Sequence, residues 1–217
     1  MKKIALGVAL AAAVGMTVTS AMAGTLEDVK ANGFVQCGVT EGVAGFSLPD
    51  ANNEWSGLEV DYCRAMAAAI FNDASAVRFT PLNTAERLAA LSSGEIDVLS
   101  RTTTWTMSRD TANGISFTGV MFYDGQGFMV RGDSGVTSVK DLANANICVQ
   151  AGTTTELNMA DYLSANGIQY TPVVFAGRPE TIKAFEDGRC DAYTTDASGL
   201  AADRTRFPDP SAYVILP

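Results

Sequence analysis

The stretch ERLAALSSGEIDVLS, residues 86–100, decides the fold because a second stretch, ETIKAFEDGRCDAYT, residues 180–194, repeats its pattern. In each copy a helical run stops at a glycine and an apolar strand follows. Six positions align without a gap, namely Glu86 with Glu180, Leu88 with Ile182, Ala90 with Ala184, Leu91 with Phe185, Gly94 with Gly188 and Asp97 with Asp191. We interpret this pattern as an internal repeat, the alternative being chance similarity between two helix ends.

The elements around both copies follow the order β-α-β-α-β. In the first half the pattern predicts strands at 34–39, 77–82 and 96–100, a helix at 58–71, and a helix after Thr84 as N-cap. In the second half it predicts strands at 147–150, 169–175 and 190–194, with helices at 154–165 and 179–187. Such alternation builds a mostly parallel sheet flanked by helices, and two copies predict two α/β lobes. Residues 114–131 would cross between them.

The first residues are typical of a secretory signal. Met1-Lys2-Lys3 precedes an apolar run at 4–16, and Ser20-Ala21-Met22-Ala23 follows with small residues. A membrane-spanning helix is the alternative, but the run is shorter than the roughly 20 residues that a bilayer requires. We therefore expect residues 1–23 to be a signal peptide cleaved after Ala23, residues 24–124 to form the first lobe and residues 125–217 the second.

The charge balance limits the partners. The chain has 15 basic and 24 acidic residues, and loss of Lys2 and Lys3 leaves 13 against 24, a net charge of −11. Such a chain repels nucleic acid and anionic membranes, so we expect neither as a partner. No later segment has the length and hydropathy of a membrane span, which predicts a soluble protein without direct membrane insertion.

The chain contains no histidine. This absence excludes Ser-His-Asp and Cys-His nucleophilic sites and most zinc sites, and we assign no catalytic residue, metal or cofactor. In an exported chain, four cysteines without CxxC spacing indicate two disulfides, for which three pairings are possible. We favour Cys37 with Cys63 and Cys148 with Cys190, because each pair then closes within one lobe and leaves the lobes free to move.

The candidate binding residues follow from the topology, because ligands of open α/β sheets bind beyond the carboxyl ends of the strands. In the first lobe that position is held by residues 101–109, RTTTWTMSR, and in the second by Thr195 and Asp196. A third element is the predicted helix start at Thr153 and Thr154, where free N–H groups attract an anion. Trp105 is expected inside the same site.

An α-amino acid is a zwitterion, and these elements complement both of its charges. Arg109 and the Thr154 amide suit the carboxylate, and Asp196 with Thr102 and Thr104 suits the ammonium. Each residue also has an ordinary structural explanation. Arg109 could be a surface charge, Asp196 a helix cap, and the threonines turn residues.

Several segments together resemble the polar amino-acid periplasmic binding proteins that serve ABC transporters, in particular those binding general L-amino acids or glutamate, glutamine, aspartate and asparagine. They are residues 37–39 (CGV), 57–64 (GLEVDYCR), 100–109 (SRTTTWTMSR), 151–154 (AGTT) and 188–196 (GRCDAYTTD). The resemblance implies a periplasmic binding protein type II-like fold whose two lobes close on a ligand. It also implies a monomeric, non-enzymatic periplasmic subunit that delivers L-amino acids to a membrane permease.

Carried over residue by residue, the resemblance implies carboxylate binding by Arg109 with the Thr102 and Thr154 amides. It implies ammonium binding by Asp196, Thr104 and the Arg101 carbonyl. Several relatives place aromatic rings over the ligand's side chain, at positions that Val43 and Thr84 occupy here. Broad specificity, or specificity for polar, acidic or amide side chains, is therefore expected.

Family members also cross back to the first lobe and complete it with further helices. This chain ends at Pro217, so we expect a C-terminally truncated member in which residues 213–217 begin the return hinge and the first lobe is incomplete. One alternative function is a dehydratase of the same fold acting on a prephenate-like acid, with Glu41 or Glu156 as the acid or base. Another is a sensory module, for which the chain offers no membrane anchor.

Overall fold

The computed structural model describes residues 24–217, so the predicted signal peptide lies outside the described residues. The helices are α1 Thr25–Asn32, α2 Leu58–Phe71, α3 Arg87–Ser93, α4 Met107–Ala112, α5 Thr154–Ala165, α6 Arg178–Glu186 and α7 Ala197–Arg204. The strands are β1 Val35–Val39, β2 Leu48–Pro49, β3 Trp55–Ser56, β4 Val77–Pro81, β5 Val98–Leu99, β6 Gln126–Arg131, β7 Asn146–Gln150, β8 Thr171–Phe175, β9 Ala192–Asp196 and β10 Tyr213–Ile215.

Each lobe is built around its own sheet, and each sheet contains parallel strands. In the first lobe the strand order is β4-β1-β5, and both pairings are parallel. In the second lobe the order is β10-β6-β9-β7-β8, with β7, β8 and β9 mutually parallel. The crossing strand β6 pairs antiparallel with β9, and β10 pairs antiparallel with β6. The two-lobed α/β prediction is confirmed, whereas the lobe boundaries at 124 and 125 stay predictions.

The repeated glycines end their helices as the sequence predicts. Gly94 has φ 77° at the end of α3, and Gly188 has φ 80° directly after α6. Glycine adopts this left-handed conformation without the clash that a Cβ would cause. The chain then turns into β5 and β9, so the repeat ends in equivalent strands of the two lobes.

Three local predictions were wrong. Thr84 does not cap α3; instead the side chain of Asn83 accepts hydrogen bonds from the amides of Ala85 and Glu86. The strand predicted at 96–100 is reduced to β5, and the strand predicted to end at Thr194 continues through Asp196. Residues 101–109, which follow β5, include the start of α4.

The hydrophobic cores and the disulfides lie within the lobes. In the second lobe, Ile147, Val149 and Leu163 pack between the sheet and α5, and Phe185 packs on its other face. Cys37 bonds to Cys63, which ties β1 to α2, and Cys148 bonds to Cys190, which ties β7 to the residues just before β9. The predicted pairing is confirmed.

Removal of the second-lobe disulfide tests its contribution to stability. The Cys148→Ala/Cys190→Ala double variant opens a loop with a sequence separation of 42. Loop-closure entropy then predicts a loss of about 2–4 kcal/mol in the free energy of unfolding, measured by urea denaturation under non-reducing conditions. The Cys37→Ala/Cys63→Ala variant is the matched control for the first lobe. A wild-type midpoint for the first variant would contradict the prediction.

Candidate ligand-binding cleft

The carboxyl ends of the parallel strands in both lobes line one cleft, whose empty volume including its open mouth is about 560 Å³. All nine residues that the sequence proposes as ligand contacts line it: Val43, Thr84, Arg101, Thr102, Thr104, Arg109, Thr153, Thr154 and Asp196. The topology therefore brings the candidate residues together from segments far apart in the chain, although their role in binding stays a prediction.

Arg109 lies on the short helix α4 rather than in a loop. The Thr106 hydroxyl accepts a hydrogen bond from the Arg109 amide at the N-cap of this helix. The guanidinium donates through Nη1 to the Thr104 carbonyl, 2.9 Å away. It forms no ion pair with any carboxylate within residues 24–217. Burial lowers its pKa, and Asp196 opposes that change. Arg109 is thus a buried cation rather than a solvated surface charge.

Asp196 ends β9 and occupies the N-cap position of α7, yet its carboxylate makes no capping hydrogen bond. The structure therefore does not support the alternative that its side chain serves as a helix cap. Burial raises the pKa of this carboxyl, and Asp124 adds to that effect, whereas nearby arginines oppose it. A cationic group placed beside Asp196 would stabilise the ionised carboxylate.

The start of α5 closes another side of the cleft. The Thr153 hydroxyl caps the helix by accepting from the Glu156 amide at 3.0 Å. The Thr154 hydroxyl lies 3.1 Å from the Thr104 hydroxyl, so the two lobes meet here. The Glu156 carboxylate accepts a hydrogen bond from the Gly152 amide at 2.8 Å. This carboxylate, which the dehydratase alternative would use as an acid or base, is thus engaged in the local structure of the helix start. Glu41, the other carboxylate considered for a dehydratase, lines the cleft.

Val43 and Thr84 are both buried at the wall of the cleft. The Thr84 hydroxyl accepts a hydrogen bond from Arg101 Nη2 at 3.2 Å, and Arg101 Nε donates to the Leu82 carbonyl at 3.1 Å. The sequence proposed only the backbone carbonyl of Arg101 as a contact. The structure adds its buried guanidinium to this wall.

Three further arginines line the cleft that the sequence analysis missed, namely Arg87, Arg178 and Arg206. Arg178 is neutralised by Asp203 through two hydrogen bonds, at 3.2 and 2.8 Å, and Tyr193 donates to the same carboxylate. The internal repeat could have indicated Arg178 as a cleft residue, because Arg178 aligns with Thr84, which the sequence analysis places in the site. Arg87 lies in the first turn of α3, where the helix dipole disfavours a cation, and this local conflict could have indicated a functional role.

Trp105 lines a groove that adjoins the cleft and shares Thr104 and Asp196 with it, so its expected place in the binding site stays a prediction. Its ring stacks on Phe117 with centroids 5.0 Å apart, and it is 47% exposed in a neighbouring groove. Within residues 24–217, acidic and cysteine side chains form no group that could hold a metal ion, and no helix has the length and apolar character needed to cross a membrane.

Glu59 supports the cleft from behind. Its side chain is 2% exposed and accepts a hydrogen bond from the Ser47 hydroxyl at 2.7 Å. Burial raises the pKa of Glu59 from 4.5 to about 7, although Ser47 and Arg101 oppose the rise. The folded protein therefore binds this proton more tightly than the unfolded chain between these two pH values.

The sign of this effect gives a pH prediction. The stability that Glu59 contributes is fully present below about pH 4.5 and is lost as the pH rises through about 7. The loss amounts to at most about 3.5 kcal/mol, since each pKa unit corresponds to about 1.4 kcal/mol. We expect Glu59→Gln to remove this part of the pH dependence in urea denaturation, with exposed Glu95→Gln as control. An unchanged pH slope in Glu59→Gln would show the prediction to be wrong.

A cleft between two α/β lobes, lined by a buried guanidinium and an uncapped carboxylate, is typical of proteins that bind a small polar ligand between domains. The family model of bacterial extracellular solute-binding proteins, family 3, matches residues 35–196, and the chain belongs to that family. Its predicted recognition as a solute-binding protein of the periplasmic type is therefore confirmed.

Two curated relatives of this chain have names that refer to the binding of amino acids. The chain is 55% identical over 218 residues to the general L-amino acid-binding periplasmic protein AapJ of Rhizobium johnstonii. It is 51% identical over 219 residues to the glutamate/glutamine/aspartate/asparagine-binding protein BztA of Rhodobacter capsulatus. In both comparisons the match covers 100% of this chain and 64% of the relative, so the chain spans under two thirds of their length.

Solved structures confirm the periplasmic binding protein fold. A periplasmic binding protein of an ABC transporter from Brucella ovis, with glutathione bound, matches at TM-score 0.87 and 57% identity, over 90% of this chain and 61% of that one. An ancestral arginine-binding protein bound to arginine matches at TM-score 0.73 and 26% identity, over 85% of this chain and 78% of that one.

Proposed function

We propose that this protein is the periplasmic binding subunit of an ABC transporter and captures a free L-amino acid between its two lobes. The observation that carries the proposal is the placement of Arg109 and Asp196, from different lobes, in one cleft. We further propose that the protein works as a monomer and catalyses no reaction. Residues 1–23 would direct its export and be removed after Ala23. The loaded protein would then dock on a membrane permease.

The two charged groups suit the two ends of an α-amino acid. The Arg109 guanidinium is planar and buried, and it can donate two parallel hydrogen bonds to a carboxylate. The first-turn amides of α5 at Thr154 and the amide of Thr102 would complete the carboxylate site. Asp196 would accept the ammonium, with the Thr104 hydroxyl and the Arg101 carbonyl beside it. Because these contacts come from both lobes, the ligand would join them.

The names of the relatives support this choice of ligand class. AapJ is named for general L-amino acids and BztA for glutamate, glutamine, aspartate and asparagine. The glutathione in the Brucella ovis structure is a second candidate, since its γ-glutamyl end carries the same α-amino and α-carboxylate groups. Glu156 is engaged with its own helix and the chain has no histidine, which favours binding over a dehydratase activity.

Isothermal titration calorimetry with a panel of free L-amino acids and glutathione tests the proposal. We expect saturable 1:1 binding of at least one panel member by the wild-type protein. Arg109→Ala should weaken that binding by about 30-fold or more, because truncating one partner of a buried charged pair costs about 2 kcal/mol or more. Asp196→Asn should weaken binding of amino acids but have less effect on a ligand that lacks the ammonium.

Two control variants make this test specific. Arg109→Lys keeps the charge but removes the planar pair of donors, and it should bind with intermediate affinity. Arg78→Ala removes an exposed arginine of β4 in the same lobe and should bind like the wild type. Equal affinities of Arg109→Ala and the wild type would refute the role of Arg109, and absence of binding to the whole panel would refute the proposed function.

A further inference from the structure

The segment that crosses between the lobes, just before β6, holds the start of helix α7. The Gly125 carbonyl accepts a hydrogen bond from the Ala197 amide at 2.7 Å. The Asp124 carboxylate accepts from the Ser198 amide, with its two oxygens 3.4 and 3.3 Å from that nitrogen, and from the Ser198 hydroxyl. Asp124 therefore supplies, from 74 residues away along the chain, the acceptor that a helix N-cap normally provides with its own side chain.

Asp196 has the backbone of an N-cap without the capping bond. Its φ of −56° and ψ of 139° lie outside the helical region, as the N-cap position requires, and aspartate is among the preferred residues there. Its carboxylate nevertheless makes no capping hydrogen bond, and it lines the cleft instead. The helix start is already satisfied by Asp124, so the Asp196 carboxylate is not needed there.

The crossing segment is fixed closely enough to control Asp196. Asp124 and Asp196 line the same groove beside the cleft, and the charge of Asp124 contributes to the raised pKa of Asp196. Two residues further on, Gln126 Nε2 donates to the Thr194 hydroxyl and to the Thr155 carbonyl, each 2.9 Å away. These bonds attach the segment to β9 and α5, so that Asp124 has a defined position at the start of α7.

We propose that Asp124 is a positioning residue for amino-acid binding, because its capping of α7 keeps the Asp196 carboxylate free to accept the ligand's ammonium. This inference rests on the proposed function, in which Asp196 binds that group. Without Asp124, an amide in the first turn of α7 loses its acceptor, and Asp196 is the side chain at the N-cap position to replace it. A ligand then has to displace that capping bond before its ammonium can bind.

Calorimetry with the panel of free L-amino acids tests the effect on affinity. We expect Asp124→Ala to weaken the amino acids that the wild type binds by about tenfold, the factor that corresponds to the free energy of an ordinary N-cap. Asp124→Asn keeps a capping oxygen and should stay within about threefold of the wild type. Asp133→Ala removes an exposed carboxylate from the turn after β6 and should bind like the wild type. Wild-type affinity of Asp124→Ala would refute the proposal.

A double-mutant cycle in urea denaturation separates the exchange of caps from a merely structural role of Asp124. In the wild-type background Asp196→Ala removes no cap. In the Asp124→Ala background it should remove the cap that Asp196 has taken over, so the urea midpoint should fall further there. Equal shifts of the midpoint in the two backgrounds would overturn the exchange of caps.

A second variant keeps the test decisive if Asp124→Ala does not fold. Ser198→Ala removes the hydroxyl that donates to Asp124 and should weaken amino-acid binding about threefold, and an unchanged affinity would count against the proposal. A wild type that binds no member of the panel refutes the proposed function itself, which is a different result from binding that Asp124→Ala leaves unchanged.

Discussion

The cleft depends on one constraint, namely that the carboxyl ends of parallel strands lie at the same edge of their sheet. In each lobe the chain leaves the sheet at the carboxyl end of a strand that the repeat places equivalently, β5 in the first lobe and β9 in the second. Polar side chains that follow such strands cannot be covered by the sheet, so they face the space between the lobes. Thr102 and Asp196 hold equivalent positions of the two repeats, and this equivalence places a neutral hydroxyl opposite a carboxylate.

Charge balance is the second organising principle, and it acts differently on each arginine. Arg178 is fixed by Asp203 and Tyr193, so it is a rigid part of the wall with its charge already compensated. Arg87 and Arg101 are held by backbone carbonyls and a hydroxyl, which orient a guanidinium without neutralising it. Neutral acceptors therefore preserve the positive potential that an anionic ligand would meet in a low-dielectric cleft.

Much of this arrangement could be predicted from the sequence because it follows from local rules. The helices at 58–71 and 154–165 have the predicted bounds, and glycine stops the repeated helices. The conflict between Arg87 and the helix dipole indicates a functional role but does not locate it in the cleft, because that depends on how α3 packs. Arg206 could not be predicted as a cleft residue, because its position depends on how the segment after α7 packs after folding. The role of Asn83 in the turn before α3 was missed for a related reason: Asn83 and Thr84 are both good turn and cap residues, and the Thr84 hydroxyl accepts a hydrogen bond from Arg101, a contact that depends on tertiary packing.

The contact between the Thr104 and Thr154 hydroxyls has a consequence for the equilibrium between open and closed conformations. A solvent-exposed bond between two neutral hydroxyls contributes at most about 1 kcal/mol, less than a tenfold bias in population. A shift from 1:99 to 99:1 requires about 5.5 kcal/mol of differential affinity. In the proposed function, a ligand that bridges Arg109 and Asp196 has to supply the rest of that difference, so the population of closed molecules would report on occupancy of the cleft.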